Sequence, residues 1–185
     1  MRIATTYLKS VSPYSQGRYH NTPKKEKEGA DDYERRTWRG RLHVNSDGFV
    51  FIPPLALKNC IAEAAKFLSV QIAGKGKSTY TKHFEAGVLV MDPLVLSVKA
   101  EDVAGQERFV PADGRRGGPK RVMKVFPVIP EWEGEVTWHI LDETITPKVF
   151  EEHLVQAGKF IGLGLGRVRN NGIWGRFDVV KCVVK

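Results

Sequence analysis

The segment from Gly162 to Phe177, GLGLGRVRNNGIWGRF, restricts the possible folds more than any other stretch of the chain. Gly162, Gly164, Gly166, Gly172 and Gly175 weaken both helix and strand, so the backbone here runs as a long loop. Arg167, Arg169 and Arg176 stand between these glycines together with Asn170, Asn171 and Trp174, and no acidic residue interrupts residues 159 to 177. Glycine lets a backbone approach a phosphate closely, and each guanidinium offers a planar fork that grips two phosphate oxygens. A loop that only joins two elements has no need of three arginines. The segment therefore reads as a contact for an anionic polymer, with Gly164, Gly166, Arg167, Arg169, Asn171, Trp174 and Arg176 as candidate contacts. Trp174 is either a platform for a base or a plug that packs the loop onto the core, and the sequence leaves both open.

The elements around this loop follow from periodicity. Residues 2 to 11 alternate as a strand, and residues 13 to 37, polar and poor in aliphatics, read as an exposed or mobile excursion. Asn45 to Gly48 supply a turn between Leu42–Val44 and Phe49–Ile52. Leu57, Cys60, Ile61, Ala64, Ala65 and Leu68 recur at helical spacing behind Pro54, which suits a first turn. Residues 73 to 84 read as a flexible basic connection, followed by strands at 87 to 91 and 94 to 98. Residues 100 to 130 form a second excursion with a flexible glycine-paired tip, whose Arg115, Arg116, Lys120 and Arg121 are further candidate nucleic-acid contacts. Val136, Trp138 and Ile140 alternate with polar residues as a half-buried strand. A second helix starts at the N-cap Thr146 with Pro147 behind it and stops at Gly162. The last strand is FDVVKCVVK. The order is βαββαβ, an α+β, ferredoxin-like or RRM-like core with an antiparallel sheet, expected as one domain over residues 1 to 185 with insertions at about 13–50 and 100–130. Helices cover one face of such a sheet, so the opposite face and the loops are left to carry a partner.

Charge agrees with a polyanionic partner. The 185 residues hold 29 Lys and Arg against 21 Asp and Glu, a formal net charge of +8. The two cysteines, Cys60 and Cys182, lie in apolar stretches without metal-type neighbours and read as reduced core thiols. No leader-like or membrane-length apolar run is present, so a cytoplasmic chain is expected.

Enzyme signatures fail on context. GLGLG follows a helix and lacks dinucleotide-fingerprint spacing, and Gly76-Lys77-Ser78 imitates a P-loop with Gln71 where its first glycine belongs. The five histidines form no metal-ligand pattern, and no cofactor or metal is expected. His20, beside Arg18 and Tyr19, has the chemistry of a general base on a ribose hydroxyl, although a solvated loop residue is the simpler reading. Asp31 and Asp32 have the chemistry for metal-assisted phosphodiester cleavage, but the run KKEKEGADDYERR accounts for them as solvated charge. Tyr19, Tyr33 and Trp38 among Arg35, Arg36, Arg39 and Arg41 form the aromatic and basic interleaving that stacks unpaired bases.

Three separated pieces resemble one superfamily. FIPPLALKNCIAEAAK, residues 51 to 66, resembles the motif that opens the first helix of repeat-associated (RAMP) proteins of CRISPR-Cas systems. GLGLGRVRNNGIWGRF resembles their C-terminal glycine-rich loop, and the βαββαβ order resembles their core. Pro54, Asn59 and Glu63 depart from the helix motif. The likeness implies a non-catalytic backbone subunit that binds single-stranded RNA, or single-stranded DNA, and oligomerises along a guide RNA with itself or with other effector subunits. It also implies that Lys58, Arg167, Arg169 and Arg176 contact guide phosphate, and that one excursion acts as a base-wedging thumb. The alternatives are a metal-independent endoribonuclease that processes repeats, with His20 or His43 as base, and a phage or mobile-element relative that binds or caps a host complex. In relatives that cleave target RNA the aspartate lies in the thumb, the region of Asp31 and Asp32.

Overall fold

The computed structural model describes residues 1–112 and 117–185. Its central sheet has four strands: β1 (Arg2–Ser10), β3 (Val88–Val90), β7 (Glu133–Ile140) and β8 (Phe177–Val184). They lie in the order β3-β7-β1-β8, every pair antiparallel. Helices α2 (Pro54–Leu68) and α4 (Pro147–Gln156) supply the two crossovers, which completes a ferredoxin-like α+β arrangement.

Alternation decides which face of the sheet is core. Ala4, Thr6 and Leu8 of β1 and Val136, Trp138 and Ile140 of β7 all point to one side and are buried. There they meet Leu57, Ile61, Ala64 and Ala65 of α2 and Phe150 and Leu154 of α4, with the Trp138 and Phe150 rings edge to face at 5.6 Å. The indole N–H of Trp138 donates to Thr6 Oγ1 at 2.8 Å, so the largest core side chain leaves no orphaned donor. Thr146 caps α4 by accepting from the Val149 amide, and Pro147 sits in the first turn, as expected. On the opposite face Ile3 is exposed and Thr5, Tyr7, Thr137 and His139 are partly exposed, with no helix of the described residues over them.

Several expectations need correction. Leu94–Lys99, here β4, leaves the central sheet and pairs with β2 (Phe49–Ile52), while the Asn45–Gly48 turn forms as read. The stretch read as a basic connection, residues 73 to 84, runs into α3 (Thr81–Gly87), anchored by fully buried Phe84. The second excursion is a regular hairpin of β5 (Ala104–Pro111) and β6 (Arg121–Val128). Arg115 and Arg116 lie outside the described residues. The first excursion is tied down: Tyr14, Ser15 and Gln16 are buried, and α1 (Ala30–Thr37) packs on β6. Cys182 is only partly buried.

His153 is a buried titratable group that links α4 to α3. Its ring stacks on Phe84 at 4.5 Å, Nδ1 donates to the Val149 carbonyl at 2.7 Å, and burial holds its pKa below 6.5. Well above pH 6.5 the ring is neutral in both the folded and the unfolded chain. Below it the unfolded chain takes up the proton first, so stability falls as pH drops towards the depressed folded value. Urea midpoints measured at neutral pH and about pH 5.5 are expected to decline in the wild type and to decline less in His153→Phe, which keeps the stack.

Candidate nucleic-acid interface

The glycine-rich loop lies against α2. Cys60 Sγ contacts the Gly162 carbonyl at 3.3 Å, and burial pushes that thiol up to about 12, which makes Cys60 a structural clasp. The loop is then pinned to the first excursion: Leu165 N donates to Ser15 O and Gly175 N to Pro13 O, both at 2.8 Å. Gly164 and Gly172 are among the glycines that the loop requires sterically. A Cβ on Gly164, whose φ is +76°, would lie 2.0 Å from Ser15 O, and one on Gly172 would lie 1.7 Å from Gly166 O. Gly164 and Gly166 are exposed, and among the described residues their amides donate to no other group of the chain.

Between α2 and the loop is an open cleft of about 550 Å³, lined by Lys58, Asn59, Glu63 and Lys66 on one side and by Gly162–Gly164 and Arg167 on the other, with Glu85 of α3 also at its wall. Lys58 and Arg167, distant in sequence, therefore share one site. The same geometry corrects the view of the loop as free of negative charge. Glu63 reaches into it and holds Arg167 at 2.8 Å and Arg169 at 3.5 Å, with the two guanidinium side chains 25% and 45% exposed. Arg176 is exposed and donates from Nε to Lys159 O at 3.3 Å.

Trp174 is a plug. It is 5% exposed, packs edge to face on Phe126 of β6 at 6.0 Å, and is covered by the Arg108 guanidinium 4.3 Å above its ring. A base has no access to that face while Arg108 occupies it. Asn171, at φ +60°, closes the short 3₁₀ turn Val168–Asn170 beside it.

No protein-family model matches the sequence, and no curated protein matches it. Solved structures do. The fold matches the crystal structure of Cmr6 from Pyrococcus furiosus with a TM-score of 0.50 and 13% identity, over 97% of this chain and 99% of that one. It matches a chain of the cryo-EM structure of the Type III-B Cmr-beta bound to cognate target RNA with a TM-score of 0.60 and 10% identity, over 99% of this chain. The chain therefore shares its fold with these two Cmr structures. This chain spans 60% of the length of the Cmr-beta chain, and at these identities the likeness is one of fold.

The remaining candidates lie apart from the cleft. Lys120 and Arg121 are exposed on the hairpin β5–β6, where Arg121 donates to Phe109 O at 2.7 Å. His20 hydrogen-bonds Thr22 Oγ1 at 3.2 Å and stacks on Tyr33. Asp31 and Asp32 are exposed in the first turn of α1, Asp32 near Arg35 at 3.9 Å. Burial and the charge of Arg18 lower the pKa of His43, which packs on Phe51. Of the aromatics read as base platforms in the first excursion, Trp38 is buried under Arg39 and Tyr19 is 86% exposed. Among the described residues no group of three or more His, Cys, Asp or Glu side chains is arranged to hold a metal ion, and no helix is long and apolar enough to cross a membrane.

Sequence reasoning met Glu63 only as a departure from the helix motif and passed over Lys66, Phe67, Lys159 and Phe160. The available signal was the dipeptide Lys-Phe at the end of each crossover helix, residues 66–67 and 159–160.

Proposed function

We propose that this chain is an RNA-binding subunit of a CRISPR RNA-guided effector complex, a backbone piece that lines up with other subunits along a guide RNA and holds its phosphates in the cleft between α2 and the glycine-rich loop. The observation that carries this reading is the meeting of Lys58 and Arg167 in one open cleft with exposed Gly164, whose amide donates to no other group among the described residues. Fixed amides and mobile cations together bind phosphate without reading sequence. A guide of any sequence then fits the same groove. The fold shared with the two Cmr structures supports the same reading.

Filter binding of a single-stranded RNA over a series of salt concentrations tests it. Affinity is expected to fall steeply with salt, by about 0.7 in log–log slope per phosphate contacted. Salt-independent binding, or none, overturns the proposal.

Glu63 sets an internal limit on that affinity, because phosphate must compete with its carboxylate for Arg167 and Arg169. Partly exposed ion pairs contribute up to about 1 kcal/mol. Glu63→Gln is therefore expected to tighten RNA binding by up to about fivefold, measured in the same assay.

A further inference from the structure

Phe67 and Phe160 form an aromatic pair that the core does not use. Their rings are 46% and 49% exposed, with centroids 5.8 Å apart and planes tilted by 40°. Two separate backbone devices put them there. Phe67 occupies the last turn of α2, which ends at Ser69 in the left-handed conformation. Phe160 occupies a π-helical turn, Ala157–Ile161, that continues α4; Ala157, Gly158 and Ile161 in that turn face inward and are buried. Gly158 makes this possible, since a Cβ there would lie 2.0 Å from Phe177 O. Wider π turns of this kind occur disproportionately at functional sites.

Cations surround the pair. The Arg169 guanidinium lies 5.1 Å from the Phe67 ring centre, and Arg176 lies against the Lys159 backbone beside Phe160. Lys66 adjoins Phe67 and also lines the cleft, so the aromatic patch and the cleft are continuous. Lys66 and Lys159 beside the two rings count against the centre of a protein–protein interface, where lysine is depleted even though Phe and Arg are enriched. The rings and cations suit a single strand, whose bases offer flat faces and whose phosphates answer the cations.

We infer that Phe67 and Phe160 form a stacking platform for an unpaired base of the RNA strand whose phosphates occupy the cleft. This rests on the RNA-binding reading above and adds a requirement to it: the strand must present at least one unstacked base as it passes the ends of the two helices. Once released from Glu63, Arg169 then has a phosphate at its fork and the Phe67 ring centre 5.1 Å from its guanidinium carbon.

A U-rich RNA carrying one 2-aminopurine, together with its fully paired duplex, tests this inference with the wild type and with Phe67→Leu/Phe160→Leu, which keeps apolar bulk and removes the rings. Binding of the wild type to the single strand is read first; its failure sinks the RNA-binding reading itself. The double variant, checked for an unchanged thermal melt, is expected to bind the single strand roughly tenfold or more weakly, with the same salt slope and without the 2-aminopurine fluorescence change. Equal affinity and an unchanged fluorescence response in the variant overturn the platform. So does an equal loss on duplex, which offers no unpaired base, or intact RNA binding with lost binding to effector proteins.

Discussion

Changing Arg167, Arg169 and Arg176 to Ala together is expected to weaken single-stranded RNA binding on the order of 100-fold at physiological salt and to reduce the salt slope by about 2. A hydrogen bond to a charged group contributes about 1.5–3 kcal/mol net, so three fully engaged forks would cost well over 1000-fold. The smaller figure follows from geometry. Arg167 and Arg169 must first leave Glu63, and all three side chains retain access to water that weakens each contact. The fold is expected to survive, because Glu63 is 30% exposed and is left beside solvent. A filter-binding titration at several salt concentrations, with a thermal melt as control, measures both quantities; an unchanged slope would remove these arginines from the interface.

The second large effect concerns stability. Glu34→Ala is expected to cost about 3–5 kcal/mol, because it removes one partner from a buried ion network. The Glu34 side chain is 3% exposed; it pairs with Arg41, approaches Lys124 Nζ at 3.3 Å and accepts from the Val125 amide at 3.0 Å. Arg41, 16% exposed, would be left holding only the Val125 carbonyl. For a chain of this size that loss corresponds to a fall in melting temperature of roughly 10 °C. Since Glu34 joins α1 to β6, hydrogen exchange is expected to rise first in the hairpin β5–β6 while the central sheet stays protected. A uniform rise across both regions would show that the two are one cooperative unit.

These two sites also show why the sequence was readable in some places and opaque in others. The α2 stripe, the Thr146 cap and the alternation of Val136, Trp138 and Ile140 are local patterns, and the structure bears them out because the core they face is formed by those residues themselves. The charged run around Asp31 gave no such pattern. Its helix is held by one acidic residue, Glu34, whose partners lie on β6 and at Arg41, and nothing in the local sequence distinguishes that glutamate from its solvated neighbours. Helix α3 was missed because seven residues are too few to establish a period. The hairpin β5–β6 was missed because β5 is largely exposed and lacks alternation. At the candidate interface, the glycines and Arg167 were legible as types and Lys58 only through the resemblance of its helix motif, while their meeting across the cleft and the intrusion of Glu63 depend on how α2 and the last loop pack. The position of Trp174, left open by its sequence context, was decided by Arg108 from the distant hairpin.

The central claim is that single-stranded RNA lies along α2 and the glycine-rich loop. Ultraviolet crosslinking of such an RNA to the wild-type protein, with the crosslinked peptides located by mass spectrometry, tests it most directly. Crosslinks are expected within residues 58–67 and 159–176; crosslinks confined to the uncovered sheet face around Tyr7 and His139 would contradict the claim.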